Sequence, residues 1–229
     1  AAIFTGYDAV DNDYFRAGAD QARAEGEALR SRLRLPARYV LTSSRFVRVK
    51  NIDGLLKGYA QYRAASPEPR DLVICGDGEE RDYLHRLARL LGIAGSVHWP
   101  GFVQYPELPN YYALADAFIL ASTTEPWGLV VNEAMASGLP VLVSNRCGCS
   151  VDLVRESENG FTFAPDPEHI ARALGRLPDS AGCRAMGQHS RALVEHFSPE
   201  NFGRNLLEAA RLALARDGRE DLGLPGGLG

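Results

Sequence analysis

Short, continuous apolar segments alternate with amphipathic segments along most of the chain. The apolar segments predict β-strands at residues 39–42, 72–75, 97–99, 117–120, 141–143 and 161–163. Helical spacing of apolar residues predicts helices between them, as at 52–63, 79–91, 108–114 and 128–137. Strands without polar alternation are typical of a sheet buried on both faces, and strand–helix alternation is typical of parallel crossovers. We therefore predict an α/β fold: a Rossmann-like, doubly wound parallel sheet of about six strands with helices on both faces.

The two ends of the chain differ from this alternating region. Residues 20–34 are rich in Ala, Arg, Glu and Leu and predict a polar helix that Pro36 ends, while residues 199–216 predict a last helix with an apolar face. We divide the chain into an inter-domain linker with a first helix (1–36), a Rossmann-like domain (37–197), a C-terminal helix (198–216) and a flexible Gly-rich tail (217–229). The chain starts with Ala and shows no signal-peptide pattern, so we expect a piece of a longer protein.

Composition argues against several classes of protein. The 229 residues are 45% hydrophobic and 24% charged with a net charge of −4, which argues against disorder and against a nucleic-acid partner. No apolar run reaches the roughly 18–20 residues of a membrane span.

The cysteines, at positions 75, 147, 149 and 183, form no CxxC pair and no His/Cys ligand spacing. They indicate free thiols and a cytoplasmic protein rather than a zinc site or disulfides.

Polar loops follow the predicted strands, and ligands of a doubly wound sheet bind at these carboxyl ends. The first loop holds Arg45, Arg48 and Lys50, cations that suit an anion; a solvated basic loop is the alternative. The next loop, Gly76-Asp77-Gly78, lacks the third Gly and the acidic residue of a dinucleotide site, so it indicates a tight turn rather than an NAD fingerprint. We expect His98 near a strand's carboxyl end, with a strand residue of no functional role as the alternative.

The segment after the fourth predicted strand is the most informative. Glu125 ends a loop and Gly128 lacks a Cβ, so a ligand can closely approach the free amides of Trp127, Gly128, Leu129 and Val130. Such a helix start binds anions through its amides and its dipole. Glu133 lies about 9 Å further along the helix axis, where it would meet hydroxyl groups rather than the phosphate. An ordinary surface position is the alternative for Glu133, although the face with Leu129, Ala134 and Met135 is expected to be buried.

These motifs together resemble the donor-binding half of GT-B retaining glycosyltransferases, and most of all the large glycosyltransferase family 4, or "group 1". The resemblance rests on Arg45 with Lys50, the Gly76-Asp77-Gly78 turn, Pro100-Gly101-Phe102-Val103, and Glu125 with Glu133 as an E-x7-E pair. The segment EPWGLVVNEAMASGLPVLVS is close to the family signature at almost every position. The similarity covers residues 39–174, and the segment GYDAVDNDYF looks like the family's inter-domain linker.

The resemblance implies a role for each matching residue. Arg45 and Lys50 would bind the nucleotide diphosphate and neutralise the charge of the leaving group, with help from the amides near Gly128 and Leu129. Glu125 would hold hydroxyl groups of the donor sugar, and Glu133 would accept hydrogen bonds from the ribose. The backbone of Gly101 and Phe102 with Val103 would face the base, and Gly76 and Gly78 would lie at the nucleotide's edge. Fixed cations would thus do the work that Mg²⁺ does in other enzymes, which matches the lack of a metal-binding Asp-x-Asp motif outside the linker.

The resemblance also implies a function: a retaining, metal-independent transferase that binds a UDP-, GDP- or ADP-sugar and uses no cofactor. A glycan or lipid-linked acceptor would bind an N-terminal domain that these residues lack, so we expect the chain alone to transfer little or nothing. A stand-alone nucleotide-sugar binding module and an NAD oxidoreductase are the alternatives. An acidic membrane surface suits Arg23, Arg30, Arg32 and Arg34, whereas Glu25 and Glu27 favour a solvated helix.

Overall fold

A six-stranded parallel sheet forms the centre of the protein. The structure, a computed structural model, describes residues 4–216, so the predicted flexible tail (217–229) lies outside the described residues. The strands are β1 (Tyr39–Ser43), β2 (Asp71–Cys75), β3 (Val97–Gly101), β4 (Ala117–Leu120), β5 (Val141–Ser144) and β6 (Gly160–Phe163). Their order is β3-β2-β1-β4-β5-β6, and every neighbouring pair is parallel. The predicted Rossmann-like, doubly wound fold is confirmed.

Helices cover both faces of the sheet. The α-helices are α1 (Asn12–Glu25), α2 (Glu27–Leu33), α3 (Ile52–Ala65), α4 (Arg81–Leu90), α5 (Leu108–Leu114), α6 (Leu129–Ala136), α7 (Ser150–Leu153), α8 (Pro167–Gly175), α9 (Ser180–Val194) and α10 (Pro199–Arg216). Short 3₁₀ helices precede α3, β3 and α5, at Arg48–Lys50, Ala94–Ser96 and Tyr105–Glu107. The predicted helices at 108–114 and 199–216 have the bounds that the sequence indicated.

Alternate residues of the four central strands, β1, β2, β4 and β5, contribute to two separate hydrophobic cores. One core contains Leu41, Val73, Phe118 and Val143, and the other contains Val40, Leu72, Ile119 and Leu142. All of these side chains are buried, because successive residues of a strand point to opposite faces and both faces are covered. This explains why the strands are continuously apolar in the sequence.

The first forty residues differ most from the prediction. Residues 20–25 and 27–33 are helical, as the expected helix at 20–34 indicated, but its start and its continuity are wrong. Helix α1 starts eight residues earlier, at Asn12, and Gly26, with φ of 52°, separates it from α2. The Asp11 side chain accepts a hydrogen bond from the Tyr14 amide at 2.9 Å and caps α1. Phe15, Ala19 and Ala22 are buried, so α1 contributes directly to the packed interior. The division of the chain into linker, domain, helix and tail stays a prediction.

Charged residues of α1 and α2 and apolar residues of α10 lie at the surface, where the predicted contact with a membrane would form. Three of the four arginines in question are paired with acidic neighbours: Arg23 with Asp20, Arg30 with Glu27, and Arg32 with Glu25. On α10 the apolar side chains of Phe202, Leu206 and Leu207 are exposed, at 40%, 58% and 48%. Within residues 4–216, no helix has the length and apolar character needed to cross a membrane.

Candidate functional site

The strand order places a crevice between β1 and β4. The chain leaves β1 towards β2 on one side and leaves β4 towards β5 on the other, so the loops that follow β1 and β4 separate at the carboxyl edge. This is the position at which doubly wound sheets bind ligands. The two loops remain joined by one backbone contact, in which the Thr123 amide donates to the Val49 carbonyl at 2.9 Å.

Lys50 and Glu125 meet in this crevice. Lys50 ends the 3₁₀ helix after β1, and Glu125 lies in the loop after β4; the ammonium group donates to the carboxylate. Both side chains are largely shielded from solvent, at 18% and 13% exposed. The backbone of Glu125 is held from the other side, where its carbonyl accepts a hydrogen bond from the Gly148 amide at 2.9 Å. The structure thus brings together two residues that are distant in sequence and that the sequence assigned to one site.

Arg45, the other predicted cation, is exposed on the first loop. It takes part in none of the ion pairs that the described residues form. The neighbouring Phe46 is buried and anchors the loop, because its amide donates to the Asp77 carbonyl at 2.8 Å. The loop backbone is therefore fixed while the guanidinium group of Arg45 stays free at the surface.

Asn51 is a site residue that the sequence reasoning missed. It has a left-handed backbone, with φ of 56°, and its amide nitrogen donates to the carbonyls of Ala121 and Pro165, both at 2.9 Å. These bonds tie the end of the first loop to the segments after β4 and β6. Since Lys50 is the preceding residue, Asn51 fixes the position from which Lys50 reaches the crevice. Asn tolerates the left-handed conformation better than most residues, which was the available signal.

Helix α6 starts at the floor of the crevice. Gly128 precedes it with φ of 106°, and a Cβ there would lie 2.8 Å from the Cδ2 atom of Leu120. The amides of Leu129 and Val130 belong to the first helical turn, so they have no intrahelical carbonyl to bind. Ala134 and Met135 are buried as expected, whereas Leu129 is 43% exposed, so the expectation of a buried Leu129 is wrong. Leu129 lies on the first turn, where the helix opens towards the crevice rather than the core.

The side chain of Trp127 is engaged in packing and hydrogen bonding within the protein. It is 7% exposed, and its indole nitrogen donates to the Asn132 side-chain oxygen at 3.0 Å. Asn132 in turn donates to the Asp8 carbonyl at 3.0 Å, and the indole ring packs against Tyr7 and Phe197 with centroids 5.6 and 5.8 Å away. Only the backbone of Trp127 is therefore in a position to serve a ligand.

Glu133 is buried rather than an ordinary surface residue. Its side chain is 8% exposed, and its carboxylate accepts a hydrogen bond from the Tyr112 hydroxyl at 2.8 Å. Burial raises the pKa of Glu133 from 4.5 to about 7, and the bond from Tyr112 opposes that rise. Among the described residues no cation pairs with this buried carboxylate, so it suits neutral hydrogen-bond donors.

The glycines after β2 are required by loop packing. A Cβ on Gly76 would lie 1.9 Å from the Ser44 carbonyl oxygen, and one on Gly78 would lie 2.6 Å from the Phe46 carbonyl oxygen. Both have positive φ, at 142° and 157°. The first two loops therefore cross in direct contact. This geometry accounts for both glycines without a ligand, and their contact with a nucleotide stays a prediction.

The loop after β3 borders the same edge. Gly101 has φ of 85°, its carbonyl accepts a hydrogen bond from the Gly76 amide at 2.8 Å, and a Cβ on it would meet nothing within 4 Å. The adjacent Phe102 is 70% exposed, and Val103 is buried. The backbone at Gly101 is therefore open to close approach by a flat ligand. The proposed contact with a base stays a prediction.

The opposite edge of the sheet holds other features. His98 is the second residue of β3, and its Nε2 atom lies 2.9 Å from a carboxylate oxygen of Asp71, the first residue of β2. The expectation of His98 at the carboxyl end is therefore wrong, because β3 continues to Gly101. A cavity of about 630 Å³ between α3 and α8 also opens at this amino edge, lined by Tyr62, Arg70 and Leu174 among others. None of the predicted site residues lines it.

Comparison with known proteins assigns the family. The family model described as "Glycosyl transferases group 1" matches residues 27–193. The chain belongs to the group 1 glycosyltransferases, and its structural neighbours are GT-B glycosyltransferases. The family resemblance drawn from the sequence motifs is confirmed.

Individual relatives and structures show how far the similarity extends. The D-inositol 3-phosphate glycosyltransferase 2 of Catenulispora acidiphila is 33% identical over 222 residues, which are 93% of this chain and 50% of that protein. The sucrose-phosphate synthase structure from Thermosynechococcus elongatus has a TM-score of 0.75 and 28% identity, covering 91% of this chain and 52% of that one. Anabaena HepE, solved in complex with UDP, has a TM-score of 0.74 and 24% identity, covering 89% and 56%. The chain spans about half the length of these proteins.

Proposed function

We propose that this chain is the donor-binding domain of a retaining, metal-independent glycosyltransferase. It would bind a UDP-, GDP- or ADP-sugar, and the whole protein would transfer the sugar to a glycan or lipid-linked acceptor. One observation carries the proposal: Lys50 and Glu125 meet at the β1–β4 crevice, beside the start of α6. A cation, bare amides and a carboxylate within one crevice suit a ligand with a charged centre and hydroxyl groups.

The diphosphate is assigned to the positive part of this crevice. Lys50 supplies an ammonium group, the first turn of α6 supplies unpaired amides, and Arg45 supplies an exposed guanidinium group at the rim. When the bond between the sugar and the diphosphate breaks, negative charge grows on the leaving phosphate oxygen. Fixed positive groups at that oxygen lower the barrier, because they need no reorganisation as the charge develops.

The two glutamates are assigned to the hydroxyl groups at either end of the donor. Glu125 would accept hydrogen bonds from the sugar, and Glu133 would accept them from the ribose. Glu133 is poorly solvated, and none of the cations of residues 4–216 pairs with it. The base would lie along the open backbone at Gly101, next to Val103.

The rest of the proposed activity depends on residues outside this chain. The acceptor would bind an N-terminal domain, which is consistent with the chain matching half of its relatives. We place the protein in the cytoplasm, at the inner face of a membrane when the acceptor is lipid-linked. The pairing of Arg23, Arg30 and Arg32 with acidic neighbours reduces the charge they offer to a membrane, so the acceptor rather than these arginines would bring the protein there.

A thermal-shift panel tests donor binding directly. The 229-residue chain is heated with UDP-, GDP- and ADP-sugars, each with Mg²⁺ and with a chelator, and with NAD as a dinucleotide control. A ligand that binds only the native state raises the melting temperature. We expect one class of nucleotide sugar to do so equally with and without Mg²⁺, and the Lys50→Ala variant to lose most of the shift. Stabilisation by NAD alone, or only in Mg²⁺, would contradict the proposal.

A further inference from the structure

We propose that Tyr112 is a positioning residue for the ribose: its hydroxyl holds one oxygen of the Glu133 carboxylate and leaves the other free for the ribose hydroxyls. The inference rests on the proposed function, in which Glu133 binds the ribose. Tyr112 lies on α5 and touches no ligand itself, so it acts only through Glu133.

The contact between the two residues is short and isolated. The Tyr112 hydroxyl donates to the Oε2 atom of Glu133 at 2.8 Å. Within residues 4–216, no other side chain hydrogen-bonds this carboxylate. An ionised carboxylate has two oxygens and about four acceptor positions, so one donor leaves most of its capacity unused. Acceptor positions of a buried carboxylate that have no donor cost free energy, and a further donor such as a ribose hydroxyl would recover it.

The ring of Tyr112 is held rigidly. It is fully buried, with Phe15 edge-on at a centroid distance of 5.9 Å and Phe118 at 5.8 Å. Phe15 comes from α1 and Phe118 from β4, so two separate elements fix the ring. A hydroxyl on a fixed ring allows Glu133 one favoured orientation, and the entropy of ordering the carboxylate is lost on folding rather than on binding.

This arrangement gives α1 a part in the site. The sequence indicated an inter-domain linker with a first helix for residues 1–36. In the structure Phe15 of this segment packs against Tyr112, which donates a hydrogen bond to Glu133. The relay Phe15–Tyr112–Glu133 connects the first helix to the crevice through direct contacts. The ribose end of the crevice is thus supported from α1 and α5 together.

The test compares ribose with deoxyribose ligands. Affinities of UDP, GDP and ADP and of their 2′-deoxy forms are measured by titration calorimetry on the wild-type chain, Tyr112→Phe, Glu133→Gln and the double variant. Tyr39→Phe is the matched control: Tyr39 is equally buried, and its hydroxyl donates to the Tyr111 carbonyl at 2.7 Å, away from Glu133. We expect Tyr112→Phe to reduce the ribose preference roughly 3- to 10-fold. We expect Tyr39→Phe to keep it.

The double variant separates positioning from general stability. If Tyr112 acts through Glu133, adding Tyr112→Phe to Glu133→Gln changes the ribose preference no further, even where the melting temperature falls. Should Tyr112→Phe fail to fold, Glu133→Asp replaces it, because its shorter chain withdraws the carboxylate from Tyr112. The inference is overturned if Tyr112→Phe keeps the wild-type ribose preference while Glu133→Gln loses it. That result would leave the proposed function intact. A wild-type chain that binds none of the diphosphates overturns the proposed function instead.

Discussion

The ammonium group of Lys50 and the carboxylate of Glu125 form an ion pair that spans the crevice between β1 and β4. Each charge is the other's partner in the free protein, so the crevice does not present Lys50 as an isolated cation. An arriving diphosphate must share or take over the ammonium group. The carboxylate that it displaces is then free to accept hydrogen bonds from a sugar. The pair therefore links the two halves of the proposed ligand.

The first prediction concerns the cations. We expect Lys50→Ala to weaken binding of a nucleoside diphosphate about 10- to 100-fold, since it removes a charge-assisted bond and leaves Glu125 to repel the phosphate. We expect a smaller loss for Arg45→Ala, because its exposed charge is screened by solvent and salt. Titration with the diphosphate and with the corresponding nucleoside measures both effects. The nucleoside should be almost unaffected by either change.

Arg48→Ala is the matched control for these two variants. Arg48 is an exposed cation of the same loop and has no role in the proposed site. If Arg48→Ala weakens diphosphate binding as much as Lys50→Ala does, the loop acts through its overall charge. Equal losses for diphosphate and nucleoside would show that Lys50 and Arg45 do not contact phosphate.

The second prediction concerns Glu125. We expect Glu125→Gln to increase affinity for the free nucleoside diphosphate severalfold, because Lys50 then lacks a competing partner. The same variant should lose affinity for the complete nucleotide sugar relative to the diphosphate, since the neutral amide is a poorer acceptor for hydroxyl groups. The ratio of the two dissociation constants is the measurement. A ratio equal to that of the wild type would remove Glu125 from the sugar site.

The sequence predicted the sheet well because the central strands are buried on both faces and are therefore largely apolar. The bounds of β4 and α5 agree to the residue. The start of helix α1 was missed because Asn12, Asp13 and Tyr14 form a mixed, largely polar segment. Phe15, which follows it, is the first residue that indicates burial. Asp11 was not recognised as a helix cap, because without the packing partner on α5 nothing favoured a helix over a loop at this point.

The composition of the site could be predicted more readily than its contacts. Lys50 and Glu125 were assigned to one site from motifs, yet no pattern in the sequence shows that they pair, because the pairing depends on the strand order. The bond from Tyr112 to Glu133 depends on the rotation of α5 about its axis, which periodicity sets only coarsely. Asn51 donates to the backbone carbonyls of Ala121 and Pro165. Every residue has a backbone carbonyl, so the identities of these two partners do not reveal the contact.

The third prediction is a pH dependence of stability. Burial raises the pKa of Glu133 from 4.5 to about 7, so between these values the native state holds a proton that the unfolded state has lost. Stability from this group is fully present below pH 4.5 and is lost as pH rises through about 7. The loss is on the order of 3 kcal/mol. Urea unfolding of wild type and Glu133→Gln across this range measures it.

We expect Glu133→Gln to flatten that decline and to be more stable than the wild type at pH 8. Glu200→Gln is the control, because Glu200 is exposed on α10 and its variant should keep the wild-type slope. Parallel curves for wild type and Glu133→Gln would show that the carboxylate is solvated in the native protein, contrary to its 8% exposure.

The fourth prediction tests the start of α6. Gly128 has φ of 106°, and a Cβ there would lie 2.8 Å from Leu120 Cδ2, so Gly128→Ala must either strain the backbone or shift the first turn. We expect a loss of roughly 1–3 kcal/mol in the free energy of unfolding and a loss of diphosphate affinity, because the amides of Leu129 and Val130 move with that turn. Gly203→Ala is the matched control: Gly203 lies inside α10, a Cβ on it meets nothing within 4 Å, and alanine favours the helix. If Gly128→Ala loses stability but binds the diphosphate like the wild type, these amides do not contact phosphate.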